Sequence, residues 1–434
     1  MINEKELQDL ITALNSGLVP RSGIENIMVG RDDVIEQIKQ DLDNIKSNLS
    51  LTKFIVGKFG TGKTFVQALI TEKAYDNNFV VSKVDFSPYR RLYHNSGNAL
   101  STYTEIIKNM TTKTNKIAAI ESIIETWITK QIDKFRDEDN FSLKDEKTVK
   151  KIEKSIKKEI KIIDTCFGGA DFSNILIKYF HSYVNDDADM TRNCIRWING
   201  EYANITNAKK DLEVSSIITD QNYYEFLKVI SKFVVLAGYS GFVINFDEVV
   251  NLFKISQKPI RDKNYEMILK IFNDTIQGSI SNLFILFSCT PEIVEDEYRG
   301  FFSYEALKGR LESNKYENSE FSDYSQPIIN LKFLTNEDIV ILLNRIIKIH
   351  ELYYKYNCKL NNDDIILFIK TNYRNLDVRR VPVRNVIRRF IGLLNILEKN
   401  KDLDKNELLN KEIKEQKDEK DENIDEFISR FEVI

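Results

Sequence analysis

Eight consecutive residues, Gly57-Lys58-Phe59-Gly60-Thr61-Gly62-Lys63-Thr64, fill the pattern GxxxxGK[ST] without a mismatch. Glycines at these spacings let a loop turn tightly, so that successive backbone N–H groups converge on phosphate oxygens. A helix opening at the end of the loop adds a favourable dipole. Lys63 would set its ammonium between the β- and γ-phosphates, Thr64 would offer its hydroxyl to Mg²⁺, and Phe65 would continue the binding segment. The chain has only 16 glycines, so a chance match is on the order of 0.01 or less. Further along, Asp247-Glu248 follow the apolar run Phe242-Val243-Ile244-Asn245-Phe246. An acid at the end of a buried strand can hold Mg²⁺, and a second beside it can polarise an attacking water. Ser288-Cys289-Thr290 follow another apolar run. Thr290, with Ser288 in reserve, could orient that water or sense the γ-phosphate. Asn245 interrupts an otherwise aliphatic strand and must find a hydrogen bond if buried.

These groups need a sheet beneath them. Phe54-Ile55-Val56 and Phe79-Val80-Val81, the latter running towards Val84 and Phe86, read as strands on either side of a helix of about 65–76. A strand–helix–strand unit implies parallel pairing. Strands resume at 242–246, 283–287 and 328–333, whereas residues 98–236 carry almost only helical patterns, with a break at Gly168-Gly169. Pro20, Gly23 and Gly30 punctuate the first fifty residues, and Asp32 opens a helix. From Thr335, which pairs with Asp338 as a capping box, the period is helical, with further helices at about 362–371 and 384–398. The expected architecture is an α/β phosphate-loop core over 51–334 with a helical insertion at about 98–236. N-terminal helices occupy 1–50, a helical lid 335–400 and a charged tail 401–434.

At 434 residues with 42% hydrophobic side chains, the chain has material for two or three domains. No apolar run approaches 18 residues, so neither a membrane span nor a secretory signal is expected. Four scattered cysteines and three lone histidines make disulfide or zinc scaffolds poor readings and a reducing cytoplasm the expected location. The net charge is −4, but residues 401–434 alone carry twelve acids and seven bases, which leaves a near-neutral body. Two basic regions bear on nucleic acid. Residues 144–161 hold eight lysines against four acids, read first as a solvated helix face. Arg374, Arg379, Arg380, Arg384, Arg388 and Arg389 suit phosphate contacts. Tyr353, Tyr354 and Tyr356 read as aromatic core between lid helices rather than a base-stacking platform.

The pattern is similar to AAA+ type ATPases and, over nearly the whole chain to about residue 398, resembles the BREX system ATP-binding family of bacterial anti-phage loci, its BrxD-type members above all. The resemblance is carried by GLVPRSGIENIMVGRDDVI (17–35), GKFGTGKT (57–64), VVSKVDFSPYRRLY (80–93), RWINGEY (196–202) and NYYEFL (222–227). It continues through GYSGFVINFDEVVNL (238–252), RDKNYEMILKIFND (261–274), CTPEIVEDEYRGFFSYEALKGRL (289–311) and VPVRNVIRRF (381–390). It implies a P-loop NTPase fold of the AAA+/ASCE type with a C-terminal helical lid, an oligomer, and ATP with Mg²⁺ as ligands. By this likeness Arg310, with Arg299 as alternative, is an arginine finger reaching a neighbouring subunit. Arg384 is a sensor arginine acting in cis, and Gly30-Arg31 belong to the loop that packs on adenine. Implied partners are other defence-system proteins, a helicase among them, and DNA, duplex or single-stranded.

An ATP-hydrolysing oligomer is the first reading. A nucleotide-gated assembly scaffold with little hydrolysis is the second, and a small-molecule or nucleic-acid kinase the third. The paired acids, the candidate finger and the lid speak against the kinase.

Overall fold

The computed structural model describes residues 2–93, 96–138, 141–312, 323–372, 382–400 and 402–409. Five apolar runs form parallel strands: β1 (Leu51–Val56), β2 (Val80–Asp85), β3 (Phe242–Asp247), β4 (Leu283–Cys289) and β5 (Ile328–Asn330). Their order across the sheet is β2-β3-β4-β1-β5. The strand that leads into the glycine loop, β1, and the strand that ends in the acids, β3, therefore flank β4. Phe246 is level with Phe287 and Ile55 with Ser288, so Asp247 and Ser288 reach the carboxyl edge of the sheet together.

β1 starts earlier than its apolar residues imply, because Thr52 and Lys53 are buried within it. Lys53 is tolerated there by an ion pair with Asp41 at 2.6 Å and by donating to the Tyr324 carbonyl at 2.7 Å. Asp41 lies on α2 (Asp32–Lys46), which packs with α3 (Lys63–Asp76) over one face of the sheet. Val34, Ile38, Leu42, Val66 and Ile70 meet Ile55, Val243, Phe284 and Leu286 in that layer.

The opposite face carries a ladder of rings. Phe54 stacks on Phe287 (5.2 Å), Phe287 on Phe246 (5.1 Å) and Phe246 on Phe86 (4.9 Å). Each offset pair contributes about 0.5–1.5 kcal/mol beyond its buried area, and the ladder stiffens the sheet one residue below its functional edge. Against this face lie α12 (Lys258–Ile276) and the helical insertion. The insertion comprises α4 (Asn98–Lys108), α5 (Ile120–Asp133), α6 (Glu146–Asp164), α7 (Gly169–Asn185), α8 (Ala188–Ile198), α9 (Ile205–Leu212) and α10 (Tyr223–Leu236). The break between α6 and α7 is imposed by close approach: a Cβ on Gly169 would collide with the Ile163 carbonyl. Short helices α11 (Val250–Phe253), α13 (Pro291–Glu295) and α14 (Glu305–Leu311) follow the strands.

Among the described residues, a second compact unit combines those up to Val29 with those from Leu334 onwards, while those of 30–333 form the first. The segment expected as one N-terminal piece over 1–50 thus divides at residue 29. Leu10, Ile11 and Leu14 of α1 (Glu4–Ser16) are buried, and α1 packs on α15 (Asn336–Tyr354) and α17 (Val383–Lys399). The apolar side of α2 belongs instead to the sheet. The second unit also holds α16 (Asn362–Asn372) and α18 (Lys405–Leu409). Thr335 and Asp338 form the expected capping box on α15. Tyr354 and Tyr356 pack around buried His350 at 4.5 and 5.5 Å, and Tyr353 contacts Tyr354 at 4.8 Å; all three are half-buried, so they border the core of this unit rather than fill it. No described helix is long and apolar enough to cross a membrane.

Candidate nucleotide site

β1 ends at Val56 and the backbone turns at once, with the Gly57 amide donating to the Cys289 carbonyl at the tip of β4 (3.1 Å). A side chain at Gly57 would strike Thr61 Oγ1 and crowd Leu331. Gly60 (φ 86°) and Gly62 (φ 91°) adopt the left-handed backbone that closes the loop. Thr61 donates through Oγ1 to the Lys58 carbonyl at 2.9 Å. α3 then begins at Lys63 with Gly62 as its N-cap and no side chain capping it. The amides of its first turn have no intrahelical acceptor, so Lys63, Thr64 and Phe65 present N–H groups together with the positive end of the dipole.

Lys63 Nζ donates to the carbonyls of Gly57 (2.6 Å) and Lys58 (3.2 Å). It therefore lies across the mouth of its own loop. Burial holds this ammonium below the ordinary lysine range, and nearby Asp247, Glu292 and Glu248 carboxylates oppose that shift. Lysine and both expected acids thus share one electrostatic environment. Thr64 and Lys58 are exposed, and Phe59 stands 63% exposed at the loop tip.

At the end of β3, Asp247 Oδ1 accepts the Glu248 amide at 2.9 Å. Glu248 is exposed and has φ 54°, a left-handed conformation that costs a residue with a Cβ roughly 1–3 kcal/mol. Such strain persists where the surroundings over-determine it. Here Asp247 fixes the Glu248 amide, and Asn251 donates to the carbonyls of Phe86 (2.9 Å) and Glu248 (3.3 Å). Lys83, on the neighbouring edge strand β2, lies 3.6 Å from Asp247 Oδ2.

Between lysine and acids, Ser288 is buried on β4, and its Oγ has no hydrogen-bond partner among the described residues. Thr290 follows two residues later, half-buried at the N-cap of α13, with no capping bond from its side chain. Cys289, between them, is fully buried, and its thiol is pushed up by burial.

Arg31, expected beside adenine, braces the phosphate loop. Its guanidinium donates to the carbonyls of Gly30, Thr61 and Lys332, each at 2.8 Å. Gly30 has φ 62° and precedes the α2 N-cap. Asn245 is buried and donates to Thr71 Oγ1 on α3 at 3.1 Å. Its Oδ1 is without a partner among the described residues.

The candidate arginines differ in commitment. Arg310 is exposed on α14 and aimed by Asn273 Oδ1 (2.8 Å) and the Ala306 carbonyl (2.9 Å). Arg299 lies over the Phe253 ring (5.5 Å) and donates to the Phe253 carbonyl at 3.3 Å. Arg384 is exposed in the first turn of α17, in the second unit. Arg388 is exposed and Arg389 half-buried on the same helix; Arg374, Arg379, Arg380 and the tail beyond residue 409 lie outside the described residues.

Sequence reading missed Lys83, Glu292 and the loop-bracing role of Arg31. Lys83 alternates with Asp85 as a polar residue within a strand, a signal for an edge position, but its partner became visible only through the topology. A cleft of about 1050 Å³ opens elsewhere, among α5, α7 and α8. The phosphate site is a backbone cradle rather than a cavity, so volume alone would miss it.

The parallel sheet, the glycine loop running into an uncapped helix and the lysine among carboxylates define a P-loop nucleotide-binding protein. The model of the BREX system ATP-binding protein BrxC/D family matches residues 2–413, and the chain belongs to that family. No curated protein shows significant sequence similarity to it.

Proposed function

We propose that the protein is a Mg²⁺-dependent, AAA+-like ATPase of the BrxD type, working as an oligomer with DNA and partner proteins in anti-phage defence. The observation that carries this reading is the common environment of Lys63, Asp247 and Glu248 above the sheet edge. The residues fit Mg²⁺-ATP: a Cβ at Gly57 would collide within the loop, Gly60 and Gly62 hold its left-handed turns, the first-turn amides are uncapped, and Ser288 Oγ is a buried hydroxyl without a partner among the described residues.

In this reading the amides of Gly57–Phe65 bind the phosphates, and Lys63 exchanges its carbonyl contacts for phosphate oxygens. Thr64 and Asp247 hold the metal, which when bound neutralises charge on the phosphates. Glu248 takes the proton from water, and Ser288 and Thr290 orient that water. Arg31 keeps the loop in register, and Gly30 lines the adenine side. Arg310 stabilises charge at a neighbour's site, and Arg384 senses nucleotide. Other defence-system components, a helicase among them, are the proposed partners. The protein acts in the cytoplasm.

The test is ATP turnover by Glu248→Gln with and without duplex DNA. A general base contributes about 10²–10⁴-fold, so turnover falls by that factor while nucleotide affinity is kept. Unchanged turnover sinks the assignment. If Glu248→Gln still supports complex assembly and defence while Lys63→Ala does not, the nucleotide-gated scaffold is the better description.

A further inference from the structure

One charged surface of the insertion is ordered by the helix period. α6 buries Ile152, Ile156, Ile160 and Ile163. On the opposite side Lys147, Lys151, Lys154, Lys158 and Lys161 are all exposed, and they fall within about 40° of one line at roughly 100° per residue. The acids of the helix flank this ridge and are engaged. Glu146 pairs with Lys150 (2.6 Å), Glu153 with Lys157 (2.5 Å) and His181 (3.2 Å), and Glu159 with Lys134 (2.8 Å). Two of these are the i,i+4 pairs expected of a solvated face. The ridge departs from that expectation. Lys151 reaches Glu138 at 2.9 Å, whereas Lys147, Lys154, Lys158 and Lys161 form no ion pair among the described residues. Lys147–Lys151 and Lys154–Lys158 are like-charge neighbours at i,i+4, which oppose the helix. Interspersed signs would give the same solubility without that repulsion.

We infer that this ridge is the track on which the protein holds the phosphate backbone of duplex DNA. The inference deepens the DNA part of the proposed function and does not depend on the nucleotide site. From Lys147 to Lys161 the ridge runs about 21 Å at roughly 1.5 Å per residue, or about six phosphate steps along one strand at roughly 3.4 Å each. The apolar side of α6 fixes this line of charge on the insertion. Lysines act as point charges without the planar fork that recognises guanine bidentately, so contact along the track is independent of base sequence. Ions released from the duplex supply the driving force.

The test uses the full chain and a fluorescent duplex in anisotropy titrations over a range of salt. Changing Lys147, Lys154, Lys158 and Lys161 together to Gln leaves the buried face untouched and keeps good helix formers. Affinity should fall at least about tenfold near 100 mM salt, and the slope of log K against log salt should flatten by about 3–4, one phosphate per lysine. Changing the same four to Arg should keep both. Unchanged affinity and slope in the Gln variant overturn the proposal. So does weakened binding to anionic phospholipid vesicles with duplex binding intact, which would make the ridge a membrane-facing surface. Lys63→Ala separates the two readings: it should lose nucleotide binding yet keep the nucleotide-free duplex slope. A wild-type chain that binds nucleotide but no duplex ends this inference alone.

Discussion

Glu248 shows how one residue serves two demands in conflict. Its left-handed backbone is unfavourable for a side chain with a Cβ, yet it follows directly on Asp247 at the edge of the sheet. Glu248→Gly should therefore stabilise the fold by about 1 kcal/mol in denaturant titrations while abolishing turnover, and a loss of stability would refute the strain. Lys63 gives a second prediction. Because burial lowers its pKa, the ammonium is lost at a lower pH than that of a free lysine. Nucleotide affinity should accordingly weaken as pH rises, with a midpoint below about 10.4, and Lys63→Arg should remove that midpoint. The placement of the loop after β1 and of Asp247 and Glu248 at the end of β3 was legible as sequence, because each directly adjoins its own apolar strand in the chain. The bond from Asp247 to the next amide and the commitment of Arg31 were not legible. Both depend on where backbone carbonyls and amides point, and composition does not encode that.

At the scale of elements, α3 and β3 meet through a polar seam. Gln67 donates to the Phe246 carbonyl at 3.3 Å, Thr71 donates to the Gln67 carbonyl at 2.8 Å, and Asn245 donates to Thr71. The oddity of Asn245 was visible in the sequence, but its partner lies 174 positions away. Since its Oδ1 is buried without a partner, Asn245→Leu should be neutral or stabilising by about 1 kcal/mol; a loss above about 2 kcal/mol would reveal a bond through water. On α15, His350 meets Tyr356 at 2.9 Å and Asn395 at 3.1 Å. Burial lowers its pKa below about 6.5, with the Asn395 bond and the Glu398 and Glu351 charges opposing. A depressed histidine contributes stability that is present above the unfolded pKa and lost as pH falls through the folded one. The second unit should therefore weaken below about pH 6.5, and His350→Gln should flatten that dependence in thermal melts. Strand boundaries were less legible than helices. The buried Lys53–Asp41 pair hides the start of β1 behind polar residues, while periodic helices such as α15 declare their caps.

For the whole molecule, the exposed and aimed Arg310 makes a mixing experiment decisive. Arg310→Ala and Glu248→Gln should each be inactive alone, the former by about 10³–10⁵-fold. Mixed, they should recover turnover, because the intact arginine of one can serve the intact acid of the other. No recovery at any ratio would assign Arg310 to its own subunit or to the surface. The division at residue 29 was not legible, since an amphipathic helix states that it has a partner and not which one. That division also sets a timetable for synthesis. α1 leaves the ribosome long before the α15 face it covers, an interval of roughly 15–60 s at about 5–20 residues per second. Throughout that interval Leu10, Ile11 and Leu14 travel without their native cover, while the sheet is still being translated.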